Sequence, residues 1–192
     1  MTPSAAERIL EAVQDLLVSR GIEEVTIRTV AATAGVSVGA VQHHHRTKDD
    51  LLMAAMDKVS EEFVQRVESV TDRGADPASN LAAVCRILGG VDDASRSASI
   101  VWLAYASKAT TSETVAVAHQ ESWRLMEDGL TALLHEVDPA LGRDDAATLM
   151  ALLDGIAIAR ATETERMTSQ RAHHIISTFL GRLAPPTDAA TP

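Results

Sequence analysis

Apolar residues recur along this chain at intervals of three and four, and almost nowhere at intervals of two. That spacing lays side chains along one face of a helix, so the pattern predicts a succession of α-helices. Ser4-x-x-Glu7 reads as a capping box, and Ile9, Leu10, Val13, Leu16 and Leu17 behind it form the apolar face of a first helix. Arg20-Gly21 ends it, with Gly21 expected as a left-handed C-cap. Thr26 is placed to cap a short second helix carrying Ile27, Val30, Ala31 and Ala34, which stops at Gly35. Ser37 caps a third, from about Val38 to His44. Thr47 with Asp50 opens a long fourth, whose stripe is Leu52, Met56, Val59, Phe63, Val67 and Val70. Pro77 starts a fifth with Leu81, Val84 and Leu88 on one face, broken by Gly89-Gly90. Four more are expected: Ala94 to Ala109, Thr111-Ser112 to Val137, Arg143 to Thr162 and Ser169 to Leu183. Val25-Thr26-Ile27 is the one brief strand-like competitor. The expectation is an all-α protein of about nine helices.

Composition agrees. Of 192 residues 46% are hydrophobic, only 3% are aromatic and 32 are alanine, a mix suited to close-packed helices. Charge adds a complication. Seventeen Lys and Arg against 27 Asp and Glu leave a net −10, which taken whole argues against a surface coated in basic patches. The charge is uneven, however. Residues 1–48 hold Arg8, Arg20, Arg28, Arg46 and Lys48 against Glu7, Glu11, Asp15, Glu23 and Glu24, so the whole net charge of −10 lies in the remainder. Cys85 is the lone cysteine, which excludes an intrachain disulfide and a multi-Cys zinc site and reads as a small core residue. The first eight residues lack the apolar core of a signal peptide, and the most apolar stretch, Leu149 to Ala159, is interrupted by Asp154. A cytoplasmic protein with no membrane partner and no cofactor is expected. His43-His44-His45 invites a metal, but neighbours on a helix diverge by about 100°, and no His-x-x-x-His spacing occurs.

The chemistry-bearing stretch is Thr26 to Val41. A short helix, a three-residue turn centred on Gly35 and a second short helix form the helix-turn-helix layout. Ala31 is small enough for close helix approach, Gly35 permits the positive φ of a tight reversal, and Val36 plugs the angle between the helices. Ser37 caps the second helix, whose first residues are the ones that reach base edges in such a motif.

These residues resemble the DNA-binding domain of the tetracycline-repressor (TetR) family. The likeness runs through Arg8-Ile9-Leu10, Gly21, Val25-Thr26-Ile27, Val30-Ala31, Ala34-Gly35-Val36-Ser37, Gly39 and Lys48-Asp49-Asp50-Leu51-Leu52. It implies a helix-turn-helix DNA-binding domain over residues 1–48, a helical ligand-binding and dimerisation domain over 49–184, and a flexible tail over 185–192. It further implies a homodimer that binds a palindromic double-stranded operator and is released by a small-molecule effector. Carried onto this chain, Thr26 and Arg28 would meet phosphate or a base edge. Ser37, Val38, Gly39 and Ala40 would face the major groove, and Gln42, His43 and His44 would contact the end of the site. Lys48 would bind phosphate, although a plain surface charge is the other reading. Gln42 has the best chemistry for base discrimination, since an amide pairs bidentately with adenine. The family commonly has Tyr at position 42 and Phe at position 45. His45 is then either a neutral, hydrogen-bonded imidazole filling the ring's place, or a group whose protonation loosens the head at mildly acidic pH.

In the body the resemblance implies a sensing cavity among helices four to eight. Trp102, Tyr105, His119, Trp123 and Met126 are its candidate lining, and ordinary core packing explains the same spacing. Leu149, Leu152, Leu153 and Ile156 on helix eight, with Ile175, Ile176, Phe179 and Leu180 on helix nine, exceed what surface helices need to hide. They predict a four-helix dimer interface, with burial inside one protomer as the alternative. A helical interaction or sensor protein without operator binding stays open, because residues 1–48 carry no net charge. An all-α enzyme finds less support: no recognisable catalytic motif, carboxylate–His metal spacing or Gly-rich phosphate loop occurs.

Overall fold

A computed structural model of the chain describes residues 3–72 and 74–183. Among the described residues there are nine α-helices and no strand. They are α1 (Ala5–Arg20), α2 (Ile27–Ala34), α3 (Val38–His44), α4 (Lys48–Val70), α5 (Pro77–Leu88), α6 (Asp93–Ala109), α7 (Glu113–Val137), α8 (Arg143–Thr162) and α9 (Ser169–Leu183). The expected tail lies outside the described residues. A 3₁₀ turn, Ile22–Glu24, separates α1 from α2. Among the described residues the packing divides into two compact units: residues 3–65 with 97–121, and residues 66–72 and 74–96 with 122–183.

In the first unit the caps are the expected ones. Ser4 Oγ accepts from the Glu7 N–H, and a Glu7 carboxylate oxygen accepts from the Ser4 N–H. Gly35 has φ 63° and ψ 39°, the left-handed conformation that a side chain would oppose. Gly21 differs from expectation. Its φ is 84° but its ψ is 173°, because the chain leaves α1 extended and enters the 3₁₀ turn instead of reversing compactly. Ile9, Val13, Val25, Val30, Val41 and Leu51 are wholly buried and cluster with Leu16, Leu17, Ala31, Leu52, Val59 and Val101. Val36 packs against this cluster, as its place in the turn requires. Burying each such Val, Leu or Ile contributes about 1.5–3 kcal/mol before chain entropy is set against it. The α4 stripe holds only in part: Leu52 and Val59 are buried, whereas Val70 is exposed.

In the second unit α5, α8 and α9 pack pairwise around Leu81, Val84, Cys85, Leu149, Leu153, Ile156, Ala172 and Ile176. Gly89 lets them approach. A Cβ there would lie 2.8 Å from Ile176 Cδ1 and 3.2 Å from the Cys85 carbonyl oxygen, so no larger residue fits without displacement. Burial pushes the Cys85 thiol up to about 12, which keeps it protonated and inert. A knot of arginines ties the helix ends together. Arg160 is buried, and its Nε donates to the Gly90 carbonyl at 3.0 Å while its other nitrogens donate to the carbonyls of Met167 at 2.9 Å and Val91 at 3.4 Å. Arg96 Nε in turn donates to the Arg160 carbonyl at 2.9 Å, and Ser169 Oγ to the Val91 carbonyl at 2.5 Å.

Candidate nucleic-acid interface

Two threonines define the entry to the helix-turn-helix. Thr26 Oγ1 accepts from the Thr29 N–H at 3.2 Å, and Thr29 Oγ1 accepts from the Thr26 N–H at 3.0 Å. The Thr29 hydroxyl also donates to the Glu24 carbonyl, so one side chain pins α2 to the 3₁₀ turn. At the other end of the motif the Val36 N–H donates to the Ala31 carbonyl at 3.0 Å. Ser37 Oγ accepts from the Ala40 N–H at 3.1 Å and caps α3.

Helix α3 points one residue inward. Val41 is buried, while Ser37, Val38, Gly39, Gln42, His43 and His44 are exposed and Ala40 is half-buried. Thr26 and Arg28, at the start of α2, are exposed as well. A Cβ on Gly39 would find only Ser37 Oγ, at 3.9 Å, so packing within the chain does not require glycine there. Val38 is 41% exposed, an apolar side chain left uncovered on a surface otherwise rich in hydrogen-bonding groups.

The segment after α3 is a set of anchors facing different ways. Lys48 Nζ donates to the Ile22 carbonyl at 2.5 Å, so this half-buried cation has an internal acceptor in addition to any phosphate. Asp49 pairs with Lys108 at 3.0 Å and accepts from Ser112 Oγ at 2.9 Å. Asp50 accepts from the N–H groups of Arg46 and Thr47 and receives Thr47 Oγ1 as cap in return, which holds its carboxyl below the usual range despite opposing desolvation. Leu51 and Leu52 are core. His45 is half-buried. Desolvation first, then the neighbouring His44, lowers its pKa, with Asp50 pulling the other way. It therefore sits as a neutral imidazole at neutral pH.

The candidate pocket residues fall in both units. In the first, Tyr105 is buried and meets the His119 ring edge-to-face with centroids 5.6 Å apart. Burial raises the Tyr105 pKa, with Asp57 adding to it, and burial lowers that of His119. Trp102 is half-buried. Trp123 and Met126, in the second unit, are half-buried too. None of the five candidates lines the surface hollow formed by Ser60, Glu61, Val64 and Gln65 or the one formed by Arg8, Glu11, Ala12, Asp15, Thr33 and Ala34.

The apolar set on α8 and α9 divides. Leu149, Leu153, Ile156 and Ile176 are buried within the single chain, beside α5 and each other, which is the alternative the sequence left open for them. Leu152, Ile175, Phe179 and Leu180 are half-buried, and Ile158 is 38% exposed. Asp154, beside Leu153, is pushed up to about 7 by burial. Sequence reasoning missed Thr29, Arg96 and Arg160. Only Thr29 left a trace, as a hydroxyl three residues after the Thr26 cap.

Among the described residues no group of three or more His, Cys, Asp and Glu is placed to hold a metal ion, and no helix is long and apolar enough to cross a membrane. Comparison with known proteins meets this geometry at both ends. Residues 9–55 match the model of the tetR family of bacterial regulatory proteins, and residues 77–185 match that of the BetI-type transcriptional repressor C-terminal domain. The HTH-type transcriptional regulator PksA of Bacillus subtilis is 26% identical over 174 residues, covering 88% of this chain and 85% of its own length. The crystal structure of a transcriptional regulator from Rhodococcus sp. Rha1 superimposes with a TM-score of 0.85 at 31% identity, over 94% of this chain and 96% of that one. A regulator from Saccharomonospora viridis, solved in complex with choline, shares the fold with a TM-score of 0.82 at 21% identity, over 92% of this chain and 95% of that one. With both family models matched in order along a helix-turn-helix and a helical body, this chain belongs to the tetR family of bacterial transcriptional regulators.

Proposed function

We propose that the chain is a repressor that docks on a palindromic duplex operator as a homodimer and lets go when a small-molecule effector binds its body. The observation that carries this reading is the exposed face of α3: a Ser37-capped helix N-terminus, an uncovered Val38, a bare Gly39 and an amide at Gln42. Val38 suits a thymine methyl, Gln42 suits adenine, and Gly39 leaves room for a base edge or phosphate to come close. Thr26, Arg28, Ala40, His43, His44 and Lys48 complete the contact set, so residues 1–48 are the reading head and 49–184 the sensing and pairing body.

Leu152, Ile175, Phe179 and Leu180, with Ile158, form the dimer seam in this reading, because they are large apolar side chains of α8 and α9 that one chain leaves partly exposed. Within the first unit, Tyr105 and His119, with Trp102, are the groups that meet the effector. A regulator of this fold holds choline, which supports a body able to take a small molecule. Release is a population shift: Asp49, gripped by Lys108 and Ser112, joins the start of α4 to the turn between α6 and α7, so a change there alters the pose of the head. The chain acts by binding and not by catalysis, in the cytoplasm with the chromosome.

Selection of bound sequences from random duplex DNA tests the reading. A palindrome with half-sites about one helical turn apart is the expected product. Recovery of no enriched sequence, with no salt-dependent duplex binding, overturns it in favour of a helical interaction protein.

A further inference from the structure

We propose that operator binding by this chain is proton-linked, with His43 and His44 serving as phosphate contacts in their imidazolium form, so that affinity rises as the medium becomes mildly acidic. The inference rests on the operator-binding reading above and adds a regulation to it. Three observations carry it. The head is short of cations, since residues 1–48 sum to zero charge. One of its five cations, Lys48, is half-buried with its ammonium on the Ile22 carbonyl at 2.5 Å. On the last turn of α3, where Gln42 also emerges, His43 and His44 stand exposed with their rings 5.3 Å apart, edge to face.

DNA affinity is dominated by cation–phosphate contacts, and imidazole is the side chain that changes charge between about pH 5 and 8. A polyanion brought against two exposed imidazoles favours their charged form, so binding takes up protons. The charged surroundings do not cancel this. Asp50 acts on His45, and its carboxylate is already held by the Arg46 and Thr47 N–H groups. Of the helices packed on α3, α2 carries Arg28, while α1 carries Glu7, Arg8, Glu11, Asp15 and Arg20. His45 is half-buried, and its protonation opposes the folded head instead of aiding contact.

The test is a titration of the full chain with a duplex selected at pH 7.5, repeated at pH 6.0 and at two salt concentrations. Uptake of one proton tightens binding by at most about tenfold per pH unit, and by less where the free imidazole is already partly charged, so the wild-type chain is expected to gain several-fold over this range. Its log–log salt slope steepens by about 0.9 for each imidazolium–phosphate contact formed. The double variant His43→Gln/His44→Gln loses the gain and the steepening, and His45→Gln keeps both. Circular dichroism of each variant at both pH values checks that α3 remains folded. Wild-type binding that persists at pH 7.5 without tightening at pH 6.0 overturns the proton linkage and leaves operator binding intact. Equal tightening in the double variant, or its loss in His45→Gln, overturns the assignment to His43 and His44. Failure to bind any duplex at either pH overturns this inference together with the reading beneath it.

Discussion

Gly39→Ala separates folding from reading, because the two should move in opposite directions. Gly39 lies in the first turn of α3 with ordinary helical backbone. The added methyl would meet nothing nearer than Ser37 Oγ at 3.9 Å, an ordinary van der Waals contact. Replacing glycine by alanine in a helix stabilises by roughly 0.5–1 kcal/mol, and a first-turn position belongs at the lower end. For a chain of this size that raises Tm by about 1–2 °C. On the docking side the same methyl occupies the gap left for a base edge or phosphate. The expected penalty is that of one mismatched base pair, about 1–3 kcal/mol at each half-site, or about 5- to 150-fold in affinity per half-site. Thermal unfolding monitored by circular dichroism reads the first quantity, and anisotropy titration of a labelled operator reads the second. A drop in Tm would show that the turn cannot take a Cβ after all. Unchanged operator affinity would show that this face of α3 does not meet DNA.

Four further outcomes follow from other parts of the molecule. Gly89→Ala should cost about 1–3 kcal/mol through overpacking against Ile176 Cδ1, and Ile176→Val about 0.5–1.5 kcal/mol through the methyl it deletes. The double variant should cost clearly less than the sum; strict additivity in urea unfolding at fixed protomer concentration would place the strain elsewhere. Arg160→Met should destabilise by about 3–5 kcal/mol, because buried carbonyls lose their donors, and Arg160→Lys should recover little of it; a loss below about 1 kcal/mol in denaturant titration refutes the knot. His45 has a lowered folded pKa, so the unfolded chain binds its proton more readily and the head loses stability as pH falls through about 6.5, a dependence that His45→Phe should remove from the Tm-versus-pH curve. Asp154 has the reverse linkage: raised to about 7, it contributes most below about pH 4 and loses that contribution as pH rises through 7. Asp154→Asn should therefore be more stable at pH 8, on the order of 1 kcal/mol after allowing for its residual exposure, with no difference near pH 4.

The helices were legible where short-range chemistry marks their ends. Ser37 and the histidine run bound α3, Gly35 marks the turn before it, and Arg143, Thr162, Ser169 and Leu183 were read directly as the ends of α8 and α9. The exposed face of α3 was legible for the same reason, since Val41 alone carries the inward apolar position. What escaped were interactions between side chains and distant backbone. Arg160 looks like a surface cation in sequence, and two of its three acceptors are carbonyls about 70 residues away that leave no pattern. Lys48 reaching Ile22 escaped likewise. The α8 and α9 stripes were half legible: periodicity reveals that Leu149 and Leu152 must both be covered, but not that the first is covered by its own chain and the second is left half bare.

The Arg160 knot has a consequence for how such a chain can drift. Its guanidinium reaches Gly90, Val91 and Met167 through their carbonyls, and every residue type supplies a carbonyl. The side chains at positions 91 and 167 are therefore free to vary as far as this contact is concerned, while the arginine is not. A survey of relatives should find position 160 held constant without any partner position changing in step with it. Methods that infer contacts from paired substitutions would pass over the feature that ties these helix ends together.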